Sequence, residues 1–245
     1  MISKRSCTMS TTSAANPFAS QGLFITFEGL DGSGKSTQAR VLADRLRKEG
    51  YAIYETVEPG GTPIGQQIRR ILLDPANQEL GAIPELLLMF ASRAQNVEQA
   101  ILPALEEGKI VIADRFTDST IAYQGSGRGL GWEVVLELER IACQGIRPNL
   151  TLCIDVDTET ALNRARARNN TNRQEARIDE QAAEFHRKVR DGYLELARRE
   201  PERFRLIDGS GNEQSTAVKV WDVVQAVLRD ASPARSVSSS PSSNR

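Results

Sequence analysis

Leu23-Phe24-Ile25-Thr26-Phe27-Glu28-Gly29-Leu30-Asp31-Gly32-Ser33-Gly34-Lys35-Ser36 is the run of sequence on which the fold turns. Its first five residues are mostly apolar and read as a short buried strand. From Ser36 to Glu49 the placing of Val41, Leu42 and Leu46 on one side predicts a helix, with Gly50 as its stop. The loop between them, Gly29–Ser36, fits the pattern G-x-x-x-x-G-K-[ST], in the strand–loop–helix setting that the pattern requires. The residue types follow from what a phosphate needs. Its oxygens must approach backbone N–H groups closely, so side chains at Gly29, Gly32 and Gly34 would obstruct. With Leu30, Asp31 and Ser33 between them, successive amides make an anion nest at a helix N-terminus. Lys35 adds a mobile positive charge for the β- and γ-phosphates. Ser36 offers a hydroxyl to Mg²⁺, and Thr37 caps or packs. By chance the bare pattern arises in roughly one chain in a hundred of this length, given average residue usage. The loop alone does not separate motors, switches, ATPases and kinases.

Outward from this unit, strands and helices alternate. Strands are predicted at 52–57, 110–113, 150–156 and 204–208. Helices are predicted at about 65–73, 84–106, 132–143, 158–168, 179–199 and 215–229. Such alternation argues for an α/β fold, a parallel sheet covered by helices on both faces. Ligands in such sheets sit at the carboxyl ends of the strands. The 245 residues suffice for one domain of this kind, over residues 21–230. Residues 1–20, rich in Ser, Thr and Ala and without an acid, read as a disordered extension with Met9 as an alternative start. A transit peptide has similar composition but is longer and more basic. Residues 231–245 lack apolar groups to bury and read as a disordered tail.

With 31 basic and 32 acidic residues the net charge is −1, so the overall balance points to no nucleic-acid partner. No apolar stretch is long enough to span a membrane. The three cysteines show no metal-ligand spacing, and their odd number argues against a disulfide framework, so a cytoplasmic setting is expected. The single histidine, His186, leaves no room for a His-rich metal site and reads as a packing or surface residue of a helix.

A second polar cluster follows the strand that ends at Asp114: DRFTDSTIAYQG, residues 114–125. Alone, Asp114-Arg115 would read as a surface ion pair. Here Thr120, Tyr123 and Gln124 continue the polar run, and a helical start would turn them to one side.

These segments resemble those of the bacterial thymidylate kinases. The matching pieces are FEGLDGSGKSTQ at 27–38, EPGGT at 58–62, FASR at 90–93, DRFTDSTIAYQG at 114–125, RPNLTLCIDV at 147–156 and RARAR at 164–168. The resemblance covers about residues 22–229. It implies a three-layer P-loop kinase fold with a five-stranded parallel sheet. It implies Mg²⁺-dependent transfer of the ATP γ-phosphoryl to dTMP, giving dTDP and ADP, a step in dTTP synthesis. It also implies a homodimer. The rivals are a kinase for another nucleotide or nucleoside, and a P-loop ATPase or switch acting through a protein partner.

On that resemblance Arg93 holds the dTMP phosphate, Arg69 contacts the nucleotide from the second helix, and Arg115 reaches the acceptor or transferring phosphate. Guanidinium suits these roles because it forms paired hydrogen bonds and stays charged. Thr120 and Gln124, with Tyr123 beside them, face the thymine edge. Asp31 contacts the sugar hydroxyl and orients the acceptor. Glu58 lies near Mg²⁺ or that sugar, and Asp114 reaches Mg²⁺ through water. The family's stacking aromatic stands four residues before the phosphate arginine, where this chain has Met89; Phe90 stands three before. One residue turns a helical side chain by about 100°, so Phe90 or Met89 meets the thymine, and Phe90 is the candidate. Val57 stands where the family usually has arginine.

The stretch 164–178 reads as a lid. Arg164, Arg166, Arg168, Arg173 and Arg177 surround Asn169-Asn170-Thr171-Asn172. A solvated helix face is the plain alternative. Family logic favours a lid, because the loop Asp31-Gly32-Ser33 has no basic residue and the transferring charge must be met from elsewhere. Arg168 and Arg173 are the first candidates for that role, and Arg177 for gripping ATP.

Overall fold

The computed structural model describes residues 22–169, 177, 178 and 181–231. The two tails expected to be disordered, 1–20 and 231–245, lie outside these, apart from Ala231 at the end of the last helix. Strands β1 (Leu23–Glu28), β2 (Ile53–Val57), β3 (Ile110–Asp114), β4 (Leu150–Asp155) and β5 (Phe204–Asp208) form one parallel sheet in the order β2-β3-β1-β4-β5. The three central strands carry near-continuous apolar runs, as burial on both faces demands. Edge strand β2 is only partly buried and reads Ile-Tyr-Glu-Thr-Val.

Side chains alternate across β1. Ile25 and Phe27 join Ile110, Ile112 and Leu152 beneath α1 (Lys35–Lys48) and α9 (Glu213–Ala231). Phe24 points to the other face and meets Phe116 edge-on, with ring centroids 5.0 Å apart. That second face is covered by α3 (Ala82–Asn96), its continuation α4 (Leu102–Glu106), the short α5 (Thr117–Thr120) and α8 (Ala183–Arg199). Helices α2 (Pro63–Leu73) and α6 (Trp132–Ala142) flank α3, and α7 (Thr158–Asn169) follows β4.

The single helix expected over 84–106 is one rod with a wide π turn at Val97–Ile101 between α3 and α4. Pro103 gives the reason: it has no N–H for the carbonyl of Gln99, which falls inside that turn. β3 and β4 lie on opposite sides of β1, so the crevice at their carboxyl ends is a topological switch point. The loops after β1 and β3, which carry both motifs, open there.

Candidate active site

At that crevice the chain lines a cavity of about 300 Å³, the size of a small-molecule site. Lys35 and Ser36 reach it from the glycine loop, Asp114 and Arg115 from the end of β3. At Gly34, with φ 96°, an added Cβ would meet nothing within 4 Å, so the amides stay open to an approaching anion. Gly32 is different. Its φ is 82°, and a Cβ would lie 2.2 Å from the Ala161 carbonyl oxygen and 2.9 Å from the Ala165 nitrogen. The backbone of α7 therefore rests on the loop, and only glycine fits between them. Leu30 is buried in the core beneath the loop, Ser33 is buried with an unpartnered Oγ, and Thr37 is half-buried.

Two cations converge on Asp31. Arg115 Nη2 donates to its Oδ1 at 2.8 Å, Lys35 Nζ stands 3.3 Å from the same oxygen, and the Tyr123 hydroxyl donates to Oδ2 at 2.9 Å. Burial alone would raise this carboxyl, but Arg115 and then Lys35 hold it well below the usual carboxylate range. Arg115 itself has φ 74°, uncommon for a residue with a Cβ. Its amide donates to Phe27 O at 2.9 Å, and its Nη1 donates to Gly29 O at 3.1 Å and Ser119 Oγ at 2.9 Å. The side chain is thus laid across the end of β1, against the glycine loop. Behind it Glu28 accepts from Phe116 N at 2.8 Å, from Tyr193 OH at 3.1 Å and from Ser119 Oγ. Burial, helped by Asp118, pushes Glu28 up to about 7 against the pull of Arg115.

The far wall is built on a buried ion pair. Arg93 Nε lies 2.6 Å from Glu58 Oε2, each side chain only 2% exposed, and Asn96 Nδ2 donates to Glu58 Oε1 at 2.9 Å. Burial raises the Glu58 carboxyl even though Arg93 opposes it. The Arg93 guanidinium stands over Phe90 at 4.9 Å and Phe116 at 5.2 Å. Its Nη1 is buried with no hydrogen-bond partner, a cationic donor available to an anion. Arg69, from α2, lines the same cavity and donates from Nη1 to Pro59 O at 2.9 Å. Thr120, Tyr123 and Gln124 form the remaining wall, where α5 passes into a π turn at Ile121–Gly127.

Known proteins similar to this chain are thymidylate kinases. The family model for thymidylate kinase matches residues 27–220. A thymidylate kinase of Pelobacter propionicus is 50% identical over 216 residues, covering 87% of this chain and 99% of the relative. One from Geobacter sp. (strain M21) is 48% identical over 206 residues, covering 83% and 92%. The crystal structure of thymidylate kinase from Ehrlichia chaffeensis superposes with a TM-score of 0.68 at 34% identity, covering 84% of this chain and 99% of that one. The chain belongs to the thymidylate kinase family.

Within this family member several expected residues stand elsewhere than the motifs suggest. Phe90, the candidate for thymine stacking, packs in the core under Arg93, whereas Met89 lines the cavity. The helix has not adjusted for the one-residue shift, so the ring is turned away. Glu58 was a candidate metal ligand, but its two oxygens are taken by Arg93 and Asn96. Ser36 and Asp114 keep their place at the cavity. Mg²⁺ generally takes one or two protein ligands beside phosphates and waters, so that pair fits it without a larger cluster. Arg177, expected to grip ATP, is buried instead: its Nη2 lies 2.6 Å from Glu85 Oε2 and its Nε donates to Leu72 O. Arg173 and the side chain of Arg168 lie outside the described residues. Glu28, Glu85, Asn96, Ser119 and Tyr193 escaped the sequence reading. Glu28, next to the glycine loop, and Ser119, inside the 114–125 run and four residues from Arg115, carried a signal; Glu85, Asn96 and Tyr193 join the site through contacts distant in sequence.

Proposed function

We propose that this cavity is where the chain, a dTMP kinase, passes the γ-phosphoryl of ATP to dTMP, and that Arg93 anchors the acceptor phosphate. The observation that carries this is that Arg93 lines the glycine loop's cavity while its Nη1 is buried without a hydrogen-bond partner. A phosphate there would give the guanidinium the paired contact it lacks. The loop amides and Lys35 hold the triphosphate, and Ser36 with Asp114 would hold Mg²⁺, which supplies neutralising charge to its oxygens. Arg115, fixed by its five polar neighbours, spans from the loop to the acceptor. Asp31, kept ionised, accepts from the sugar hydroxyl. An acceptor phosphate oxygen forms its bond to the γ-phosphorus as the bond to the β,γ-bridging oxygen breaks, and ADP leaves. That oxygen is already anionic, so positioning and electrostatics suffice without a general base. Arg168 and Arg173 supply lid charge during transfer.

The test is a coupled assay with ATP and each nucleoside monophosphate. A kcat/KM for dTMP at least about tenfold above those for dCMP, AMP and GMP is expected, since a polar group matched to one base rejects bases that leave it unpaired. Turnover of dTMP no better than of AMP or GMP would overturn the reading.

The enzyme is further proposed to act as a cytoplasmic homodimer. Among the described residues no helix is long and apolar enough to cross a membrane. Exposed apolar pairs lie on three helices that pack side by side: Ile64 and Ile71 on α2, Ile83 and Leu87 on α3, Val134 and Ile141 on α6. Each pair has i,i+4 or i,i+7 spacing and so shares one helical face. Light scattering should give twice the chain mass, and Leu87→Glu combined with Ile141→Glu should give the single chain mass. A monomeric wild type would contradict the proposal.

A further inference from the structure

Gln124 is a side-chain amide, and an amide can turn either its oxygen or its nitrogen to a ligand. Its Nε2 donates to Glu85 Oε1 at 2.9 Å, and both residues are almost wholly buried. With the nitrogen turned to Glu85, the amide oxygen lies on the opposite side of the group, towards the cavity that Gln124 lines. This orientation is one-way only if Glu85 can accept and never donate. The surroundings enforce that. Arg128 grips the carboxylate with Nε at 3.1 Å from Oε1 and Nη2 at 3.0 Å from Oε2. Arg177 adds Nη2 at 2.6 Å from Oε2. Arg128 is fixed in turn by Gln181 Oε1 at 2.8 Å and lies over the Phe185 ring at 4.7 Å. Burial would raise the carboxyl, but Arg128 and Gln124 first, then Arg177, draw it below its ordinary value.

We infer that Glu85 is a specificity-determining positioning residue: it locks Gln124 with its carbonyl oxygen towards the base, and so selects a pyrimidine with an N–H at position 3. This rests on the reading of Gln124 as a thymine contact. Thymine and uracil carry that N–H. Cytosine presents a lone pair there, which would face the amide oxygen and leave two acceptors opposed. An unlocked amide could flip and serve cytosine. Glu85 itself touches no substrate, and its two arginines act here by keeping it an acceptor.

The test compares wild type, Glu85→Gln, Gln124→Ala and the double variant, with dTMP and dCMP as acceptors. A glutamine at 85 can donate or accept, so Gln124 is free to turn. In Glu85→Gln, KM for dTMP should rise about tenfold with kcat little changed, and the dTMP-to-dCMP ratio of kcat/KM should fall about tenfold, the scale of one unpaired polar contact. In the Gln124→Ala background the same substitution should cost little more, because the effect passes through Gln124. Independent, multiplying effects, or equal losses for both acceptors, would overturn the inference. If Glu85→Gln does not fold, the Gln124 side-chain amide in ¹⁵N-labelled wild type decides. Its N–H signals should be protected from exchange before dTMP is added; fast exchange that slows only on binding dTMP would also overturn the inference. Wild type that fails to phosphorylate dTMP would instead remove the underlying substrate assignment.

Discussion

An Arg93→Met variant is expected to lose about three orders of magnitude in kcat/KM for dTMP, the scale of an arginine's contribution to phosphoryl transfer. Two effects combine. The acceptor phosphate loses the donor that waits unpartnered in the wall, and Glu58 loses the charge that stands 2.6 Å from it. Stranding one member of a buried pair costs about 3–5 kcal/mol, which for a domain of this size lowers the melting temperature by about 10 °C. The sign of the pH dependence follows from Glu58. Burial already lifts its carboxyl above the ordinary 4.5, and without Arg93 it rises further. The folded variant then binds a proton more readily than the unfolded chain. Its stability is therefore fullest below about 4.5 and falls as pH climbs through the raised value. Thermal melts of the variant across that window should show the decline, steeper than in wild type. Arg93→Lys restores a charge but not the paired geometry, so it should recover more stability than activity. Retention of kcat/KM within about tenfold of wild type in Arg93→Met would remove Arg93 as the phosphate anchor, since one charge-assisted contact is worth more than that.

The sheet and the glycine loop were legible because both are written locally. The runs at Leu23–Phe27 and Ile110–Ala113 are short, apolar and bounded by turn residues, and the structure begins and ends β1 and β3 within a residue of them. The motif at 29–36 needs only its own neighbours to be read. What stayed hidden depends on partners far along the chain. Nothing in the sequence near Glu85 says that Gln124, 39 residues on, and Arg177, 92 residues on, will share its carboxylate. The arginine-rich composition around 164–178 pointed Arg168 and Arg173 to the transferring charge and Arg177 to ATP, yet Arg177 is spent on Glu85. The choice between Met89 and Phe90 was a choice of helical phase. Only the packing of α3 into the core with Leu72, Ile121 and Ala122 fixes that phase, and it turns Phe90 inward under the Arg93 guanidinium.

Gly32→Arg is expected to abolish most transfer, with kcat lowered about 10³-fold, rather than to supply the basic residue that Asp31-Gly32-Ser33 lacks. Arginine there would have to adopt φ near 82° and place its Cβ 2.2 Å from the Ala161 carbonyl oxygen. The left-handed backbone alone costs about 1–2 kcal/mol, and a backbone oxygen cannot step aside as a flexible side chain can. Relief requires α7 to lift off the loop, carrying Arg164 and Arg166 with it. Glycine at 32 lets α7 sit on the phosphate loop, and α7 leads into the stretch proposed to supply Arg168 and Arg173 during transfer. Gly32→Ala separates the two explanations. It adds the same Cβ and the same strain but no charge, so kcat should fall nearly as far as in Gly32→Arg. If the loop merely lacked a cation, Gly32→Arg would keep or gain activity while Gly32→Ala lost it, and single-turnover measurement of phosphoryl transfer in both variants would show that divergence.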